Sequence, residues 1–328
     1  MSAEIGSDRT LIQGAGGNTS LKGHGGELWV KASGVWLADA TQDRVFVALD
    51  RAAVLRCVAG GVEPGPGTRL VRDETLRPSI EATLHAVLPQ RVVLHVHSVN
   101  AIAHAVRRDA AGVVAGRLAG LDWAWVPYAR PGLPLTRAAQ AAMTGMPEVL
   151  LLQNHGLVVA AEDVGRAAAL LAEVEARLAV PARAAPPADE DRLAQLAAAS
   201  QGAYRPAMPA EAHWGATDLD SLRLARRGAL YPDHVVFLGA SPMPILASPD
   251  GMAAVLSAMP PCVLVPGAGA LVKAGGGHAV DEMLACFGLV AARLSPDWSV
   301  RTLTRGQEAE LLGWEAERYR RSLGRQPS

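Results

Sequence analysis

Apolar and polar positions along the chain follow two periods. Residues 92–97, VVLHVH, and 148–161, EVLLLQNHGLVVAA, are nearly continuous runs of Val and Leu broken only by histidine and one short polar insert. Such runs are expected of strands covered on both faces. ELWVKASG (27–34) reads as a third strand. Residues 79–88, SIEATLHAVL, and 162–179, EDVGRAAALLAEVEARLA, have helical spacing instead. In the second, Val164, Ala167, Leu171, Val174 and Leu178 form a stripe, with Asp163 placed to cap its start. In the first, Ser79 is the expected cap and Ile80, Leu84, Val87 and Leu88 the buried stripe. LYPDHVVFLG (230–239) reads as the opening of a strand, in which Tyr231, Asp233 and His234 stand at a structural turn or reach a site. Strands and helices mixed in this way predict an α/β fold built in layers.

The periodic pattern stops at 181–190, PARAAPPADE, which reads as a linker between residues 1–180 and a smaller α/β region at 191–328. PCVLVPGAGALVKAGGG, from Pro261, echoes PEVLLLQNHGLVVAAED, from Pro147. Aligned on Gly156 and Gly269, His155 meets Ala268, so the second region reads as either a degenerate repeat that lost the histidine or a convergent pattern.

Composition narrows the function classes. The 328 residues carry 31 Lys and Arg against 32 Asp and Glu, with no basic run beyond a pair, so no nucleic-acid surface is expected. No segment has the unbroken apolar length of a membrane span, and the start, MSAEIGSDRT, has no apolar signal core. Three scattered cysteines form neither a disulfide framework nor a zinc knuckle, which points to a reducing, cytoplasmic setting. Any metal site must then use histidine and carboxylates.

The candidate chemistry sits in the first region. His95 and His97 leave the same side of their strand, about 7 Å apart by twice the rise per residue. That spacing lets two imidazoles converge on one ion, and it also suits two core histidines bonded to backbone. The stretch QGAGGNTSLK (13–22) is neither a dinucleotide fingerprint nor a P-loop, because Thr19 replaces the third glycine and no Gly-Lys-Ser/Thr follows. Free backbone N–H groups followed by Asn18, Thr19, Ser20 and Lys22 favour a nest for phosphate or carboxylate. Glu81, in a first helical turn, either complements the helix dipole or is a desolvated carboxyl with a raised pKa, suited to acid–base work. His85 and His104 read as helix-surface or satisfied histidines, and His24, His213 and His278 as loop residues without a role.

GAGGNTSLK, KASG, RPSIEATLH, LHVH and QNHG, in this order from about Leu11 to Leu178, resemble the class II aldolase/adducin family. The second region, with LYPDHVVFLG and ELLGWEAERYRRSL, is similar to the extra region of larger members related to rhamnulose-phosphate aldolase. The resemblance implies a class II aldolase-like α/β/α fold and a divalent metal, usually zinc, on His95, His97 and His155. Manganese, cobalt, nickel or iron also suit imidazole ligands. It makes Glu81 the catalytic carboxylate and places phosphate contacts on Asn18, Ser33, Gly34 and Ser79, with Lys22 nearby. The implied reaction is reversible aldol cleavage of a phosphorylated ketose, or a related sugar acid, to dihydroxyacetone phosphate and an aldehyde through a metal-stabilised enediolate. Relatives use the same site for epimerisation, decarboxylation or dehydration, and adducin-like members are non-catalytic binding modules. A homo-oligomer, tetrameric in many relatives, is implied as well. Ile80 departs from the family pattern: it stands where many relatives have a second serine, so the anion site lacks one hydroxyl. The acid for the leaving aldehyde, a tyrosine in some relatives, would be Tyr128 or Tyr231.

Overall fold

The computed structural model describes residues 1–71 and 73–323. By internal packing the chain divides into two units: Met1–Ala105 with Asp109–Ala179, and Val106–Arg108 with the chain from Val180 onward.

The first unit is built on a seven-stranded sheet. In chain order the strands are β1 (Asn18–Lys22), β2 (Glu27–Lys31), β3 (Phe46–Asp50), β4 (Val92–Val96), β5 (Trp123–Val126), β6 (Val149–Leu152) and β7 (Gly156–Ala161). Their spatial order is β3-β2-β1-β4-β7-β6-β5. Every neighbouring pair is antiparallel except β5 and β6. The helices are α1 (Ser2–Ser7), α2 (Arg51–Gly60), α3 (Ala82–Val87), α4 (Val99–Ala105), α5 (Ala110–Arg117), α6 (Leu133–Ala142) and α7 (Val164–Leu178). Alternation along the central strands explains why helices cover both faces. Leu94, Val96, Leu151, Leu157 and Val159 pack against Ala101, Val114 and the Leu170/Leu171/Val174/Leu178 stripe, from α4, α5 and α7. Val93, Leu150, Leu152, Val158 and Ala160 pack on the opposite side against Leu84 and Leu88, with Leu135 and Ala139 of α6. The result is a layered α/β/α fold, as the sequence pattern predicts. Asp163 caps α7 through a bond from the Arg166 N–H at 2.8 Å.

One boundary differs. The helix expected from Ser79 begins at Ala82, with Glu81 in the cap position. Residues 77–79 are instead held extended beside the end of β2: the Ser79 N–H donates to Lys31 O at 2.9 Å and the Ser33 N–H to Arg77 O at 2.8 Å. Pro78 supports this extended backbone, because the residue before a proline, Arg77, is pushed out of helical backbone. The Ser79 hydroxyl accepts from the Glu81 N–H at 3.2 Å, a local turn rather than a cap.

The second unit contains a three-stranded sheet, β8 (Tyr204–Pro206), β9 (Cys262–Val265) and β10 (Gly269–Lys273), ordered β8-β10-β9. Its helices are α8 (Glu190–Ala199), α9 (Trp214–Thr217), α10 (Leu219–Arg227), α11 (Pro232–Leu238), α12 (Met252–Ala258), α13 (His278–Ala291), α14 (Arg305–Gly313) and α15 (Glu315–Leu323). The β9–β10 hairpin has the shape of β6–β7. Val265 pairs Gly269 as Leu152 pairs Gly156, each across a three-residue loop whose middle residue has positive φ, 74° at Gly267 and 53° at Asn154. A helix follows each hairpin. Arg183, in the Pro- and Ala-rich segment before α8, is fastened to this unit: its N–H donates to Ala292 O at 2.8 Å and its Nη2 to Asp218 Oδ2 at 2.6 Å.

LYPDHVVFLG forms no strand. Pro232 opens α11 at its first position, where its missing N–H costs nothing, and residues 232–238 are buried throughout. Tertiary burial overrides the β preference of Val235, Val236 and Phe237. His213 is not a loop residue either: it is buried at the end of a 3₁₀ turn, and its Nδ1 accepts from the Ala270 N–H at 3.1 Å. His278 starts α13 rather than lying in a loop. Among the described residues, no helix is long and apolar enough to cross a membrane.

Candidate functional site

One end of the large sheet collects the polar residues. Antiparallel pairing brings the start of β1, the end of β2, the end of β4 and the start of β7 to the same edge. Asn18 pairs His95 in register, and His95 pairs Val158. His97 follows β4 directly, and His155 stands in the β6–β7 loop. Two backbone features fix that loop. Asn154 takes left-handed backbone, which asparagine tolerates better than most residues. Gly156 lets the chain pass close to β4; a Cβ there would lie 2.5 Å from Val96 O.

The three histidines form one buried cluster. Ring centroids are 5.0 Å apart for His95–His97 and for His95–His155, and 5.3 Å for His97–His155. Their candidate ligand nitrogens all lie within 4.8 Å of one another. A tetrahedral zinc with bonds of about 2.0–2.1 Å needs nitrogens about 3.3 Å apart, so modest ring rotations bring the set onto one ion. His95 Nδ1 is 3.1 Å from Leu157 O and donates to it. That bond turns the lone pair of Nε2 into the cluster, the usual outer-sphere arrangement of a metal-binding imidazole. The donor set therefore fits a divalent ion, and His95, His97 and His155 are the residues that can hold one.

Glu81 faces the same point from α3. Its Oε2 is 3.3 Å from His95 Nε2, and its Oε1 is 3.4 Å from His155 Nε2. Asn18 Nδ2 donates to Oε2 at 2.8 Å. The raised pKa expected of this carboxyl is not found. Burial does push it up, but His95, His155, the Asn18 hydrogen bond and His97 together outweigh burial and lower it to about 2. Glu81 is accordingly held as an ionised carboxylate.

The remaining predicted residues separate into two groups. The β1–β2 register, Ser20 to Val30, runs on toward Asn18 and Ala32, and the Ala32–Pro78 bridge sets Ser33 and Ser79 on either side of it. Asn18, Ser33 and Ser79 are buried, and Gly34 turns the chain after Ser33 with φ 82°. Lys22 is not brought to this edge. It lies at the other end of β1, four residues and about 13 Å from Asn18 along the strand. There its Nζ donates to Gln90 O at 2.5 Å, and burial, with Arg51 nearby, lowers its pKa to about 7. Tyr231, the other acid candidate, is buried in the second unit, where burial, with Cys286 nearby, raises its pKa well above the ordinary tyrosine value. The Tyr128 N–H donates to Gln153 Oε1 at 3.3 Å, beside the loop that carries His155.

Two further residues support the site. Of its two readings His85 is the satisfied histidine rather than the surface one: fully buried, it lies 2.7 Å from Ser20 Oγ through Nδ1 and bonds Asn18 Oδ1 through Nε2. Lys31 Nζ donates to Ala15 O at 2.8 Å and to Gly17 O at 3.1 Å, which braces the glycine-rich loop. The His85 contact is readable from spacing. Asn18 and Ser20 share a strand face, and His85 lies one helical turn after Glu81.

Comparison with known proteins covers the first unit. The family model described as class II aldolase and adducin N-terminal domain matches residues 2–180. An uncharacterized oxidoreductase of Bacillus subtilis, YuxG, is 34% identical over 170 residues, which are 47% of this chain and 24% of that protein. The chain thus spans about a quarter of that relative's length. Among solved structures, the N-terminal class II aldolase domain of a conserved Thermoplasma acidophilum protein has 25% identity and a TM-score of 0.46, covering 54% of this chain and 88% of that one. YgbL of Escherichia coli has 23% identity and a TM-score of 0.37, covering 54% and 84%. With its family model matched across more than half its length, the chain belongs to the class II aldolase and adducin N-terminal domain family.

Proposed function

We propose that the protein is a metal-dependent lyase that reversibly cleaves a phosphorylated ketose, or a related sugar acid, to dihydroxyacetone phosphate and an aldehyde. The observation that carries this reading is the convergence of three buried imidazoles and the Glu81 carboxylate on one point, at 3.3 and 3.4 Å. His95, His97 and His155 would hold the divalent ion. When bound, such an ion supplies Lewis-acid polarisation of a carbonyl oxygen.

The chain's own groups handle the proton. In the condensation direction Glu81, ionised, takes a proton from the carbon beside the substrate carbonyl; in cleavage it returns that proton. Asn18 holds the carboxylate in place through Oε2. Ser33, Gly34 and Ser79, at the end of β2 and the start of the α3 segment, are the proposed contacts for the substrate's anionic group. Ile80 removes one hydroxyl from that set, which widens the candidates from phosphates to carboxylates.

A non-catalytic binding role in the adducin manner fits less well, because all three histidines and Glu81 are present in converging geometry. The test is product analysis with zinc- or manganese-loaded protein on a panel of phosphorylated ketoses and sugar acids. Dihydroxyacetone phosphate released by the native chain and not by Glu81→Gln supports the lyase. Epimer, carbon dioxide or dehydrated product from the same panel moves the assignment to the corresponding reaction at the same site. No turnover of any member contradicts the reading.

A further inference from the structure

The Asn18 amide has two ends, and only its NH2 can donate to a carboxylate. Its Nδ2 donates to Glu81 Oε2 at 2.8 Å, which leaves Oδ1 pointing the other way. If the amide were reversed, oxygen would meet oxygen and Glu81 would be pushed from its place. Something must therefore hold the amide in this orientation, and the partner on its far side is His85, bonded through Nε2 to Oδ1. An amide oxygen only accepts, so His85 Nε2 must carry the hydrogen. The other ring nitrogen, 2.7 Å from Ser20 Oγ, then accepts from the serine hydroxyl.

We infer that His85 is a positioning residue: the chain Ser20–His85–Asn18–Glu81 fixes the Asn18 amide and, through it, aims the Glu81 carboxylate into the histidine cluster. The inference rests on reading Glu81 as the proton carrier. Every link is buried: Asn18, Ser20, Glu81 and His85 are all shielded from solvent, so water cannot replace a lost partner. The geometry is built from two rigid elements. Asn18 and Ser20 share one face of β1, whose backbone is held by pairing with β4, while His85 and Glu81 lie one turn apart at the start of α3. The direction of the chain depends on a neutral imidazole. Burial, with His95 and Lys22 nearby, lowers the His85 pKa to about 3, so the ring is neutral at physiological pH. The Nδ1–H tautomer would present a lone pair to Asn18 Oδ1 and favour the reversed amide.

The first test needs no turnover. Nitrogen-15 spectra of the histidine rings in the full zinc-loaded chain, with His85→Gln used to assign the signal, report the tautomer. Hydrogen on Nε2 is expected; hydrogen on Nδ1 overturns the proposal. The second test follows exchange of solvent deuterium into dihydroxyacetone phosphate as the probe. His85→Leu is expected to lower kcat by about 10-fold to 100-fold, with KM and bound zinc unchanged, while His85→Gln, whose amide N–H reaches Asn18, restores most of the rate. Equal kcat in native protein and His85→Leu overturns the proposal, and so does an equal loss in His85→Leu and His85→Gln. Failure of the native chain to exchange deuterium contradicts the lyase reading alone, because the tautomer spectrum still decides whether His85 sets Asn18.

Discussion

Glu81 shows how local chemistry and environment compete at a single residue. A carboxyl in a first helical turn at a buried face would ordinarily be pushed toward its neutral form. Here burial is outweighed by imidazoles at 3.3 and 3.4 Å and by the Asn18 amide, so the group stays ionised. Replacing it by glutamine keeps the size and removes the proton acceptor. Glu81→Gln is expected to lower turnover about 100-fold to 10,000-fold, while bound metal stays near the native level. Steady-state kinetics beside elemental analysis separates these effects, and metal lost in step with activity would contradict the acid–base role. This residue also marks a limit of the sequence. The position of Glu81 was legible from RPSIEATLH, but the sign of its pKa shift was not, since it depends on side chains that arrive from β1, β4 and the β6–β7 loop.

At the scale of elements, the strands that carry the site were the readable part. The runs around His95 and His155 have the length and apolar content of covered strands, and the short polar insert Gln153–His155 between them reads directly as a turn. Two things were not readable. Ser79 looked like a cap because Ser-x-x follows proline, yet the backbone of 77–79 is claimed by the end of β2. Lys22 follows Asn18 closely in sequence, but an extended chain separates them by the length of the strand. Two substitutions test the element account. Gly156→Ala places a Cβ 2.5 Å from Val96 O and must displace either β4 or the loop bearing His155. Weaker zinc binding and lower thermal stability are expected, and unchanged zinc affinity would show that the close approach does not set the histidine. Asp163→Ala removes the cap of α7, outside the cluster. It should cost about 1 kcal/mol in urea unfolding and leave zinc affinity as it was.

For the whole molecule, the second unit contributes a pH dependence that the sequence did not announce. His234 is fully buried between the rings of Tyr231 and Phe287, at 5.6 and 5.2 Å, and burial lowers its pKa to about 3 from an ordinary 6.5. Between these values the unfolded chain binds a proton that the folded chain does not. Stability from this group is complete above pH 6.5 and falls as pH drops toward 3, by up to about 1.4 kcal/mol per pH unit. Urea unfolding followed in the second unit at several pH values should show a shallower acid loss in His234→Phe than in the native chain; equal slopes would contradict the assignment. The hairpin of this unit was legible as an echo, PCVLVPGAGALVKAGGG after PEVLLLQNHGLVVAAED, and Ala268 stands there where His155 stands in the first unit. The proposed metal site lies in the first unit, on His95, His97 and His155. Elemental analysis of protein purified without a histidine tag, beside His97→Ala, tests this most directly. About one divalent ion per native chain is expected, with most of it lost in the variant. A native chain that carries no ion and takes up none from added zinc, or a variant that binds as well as the native chain, would contradict it.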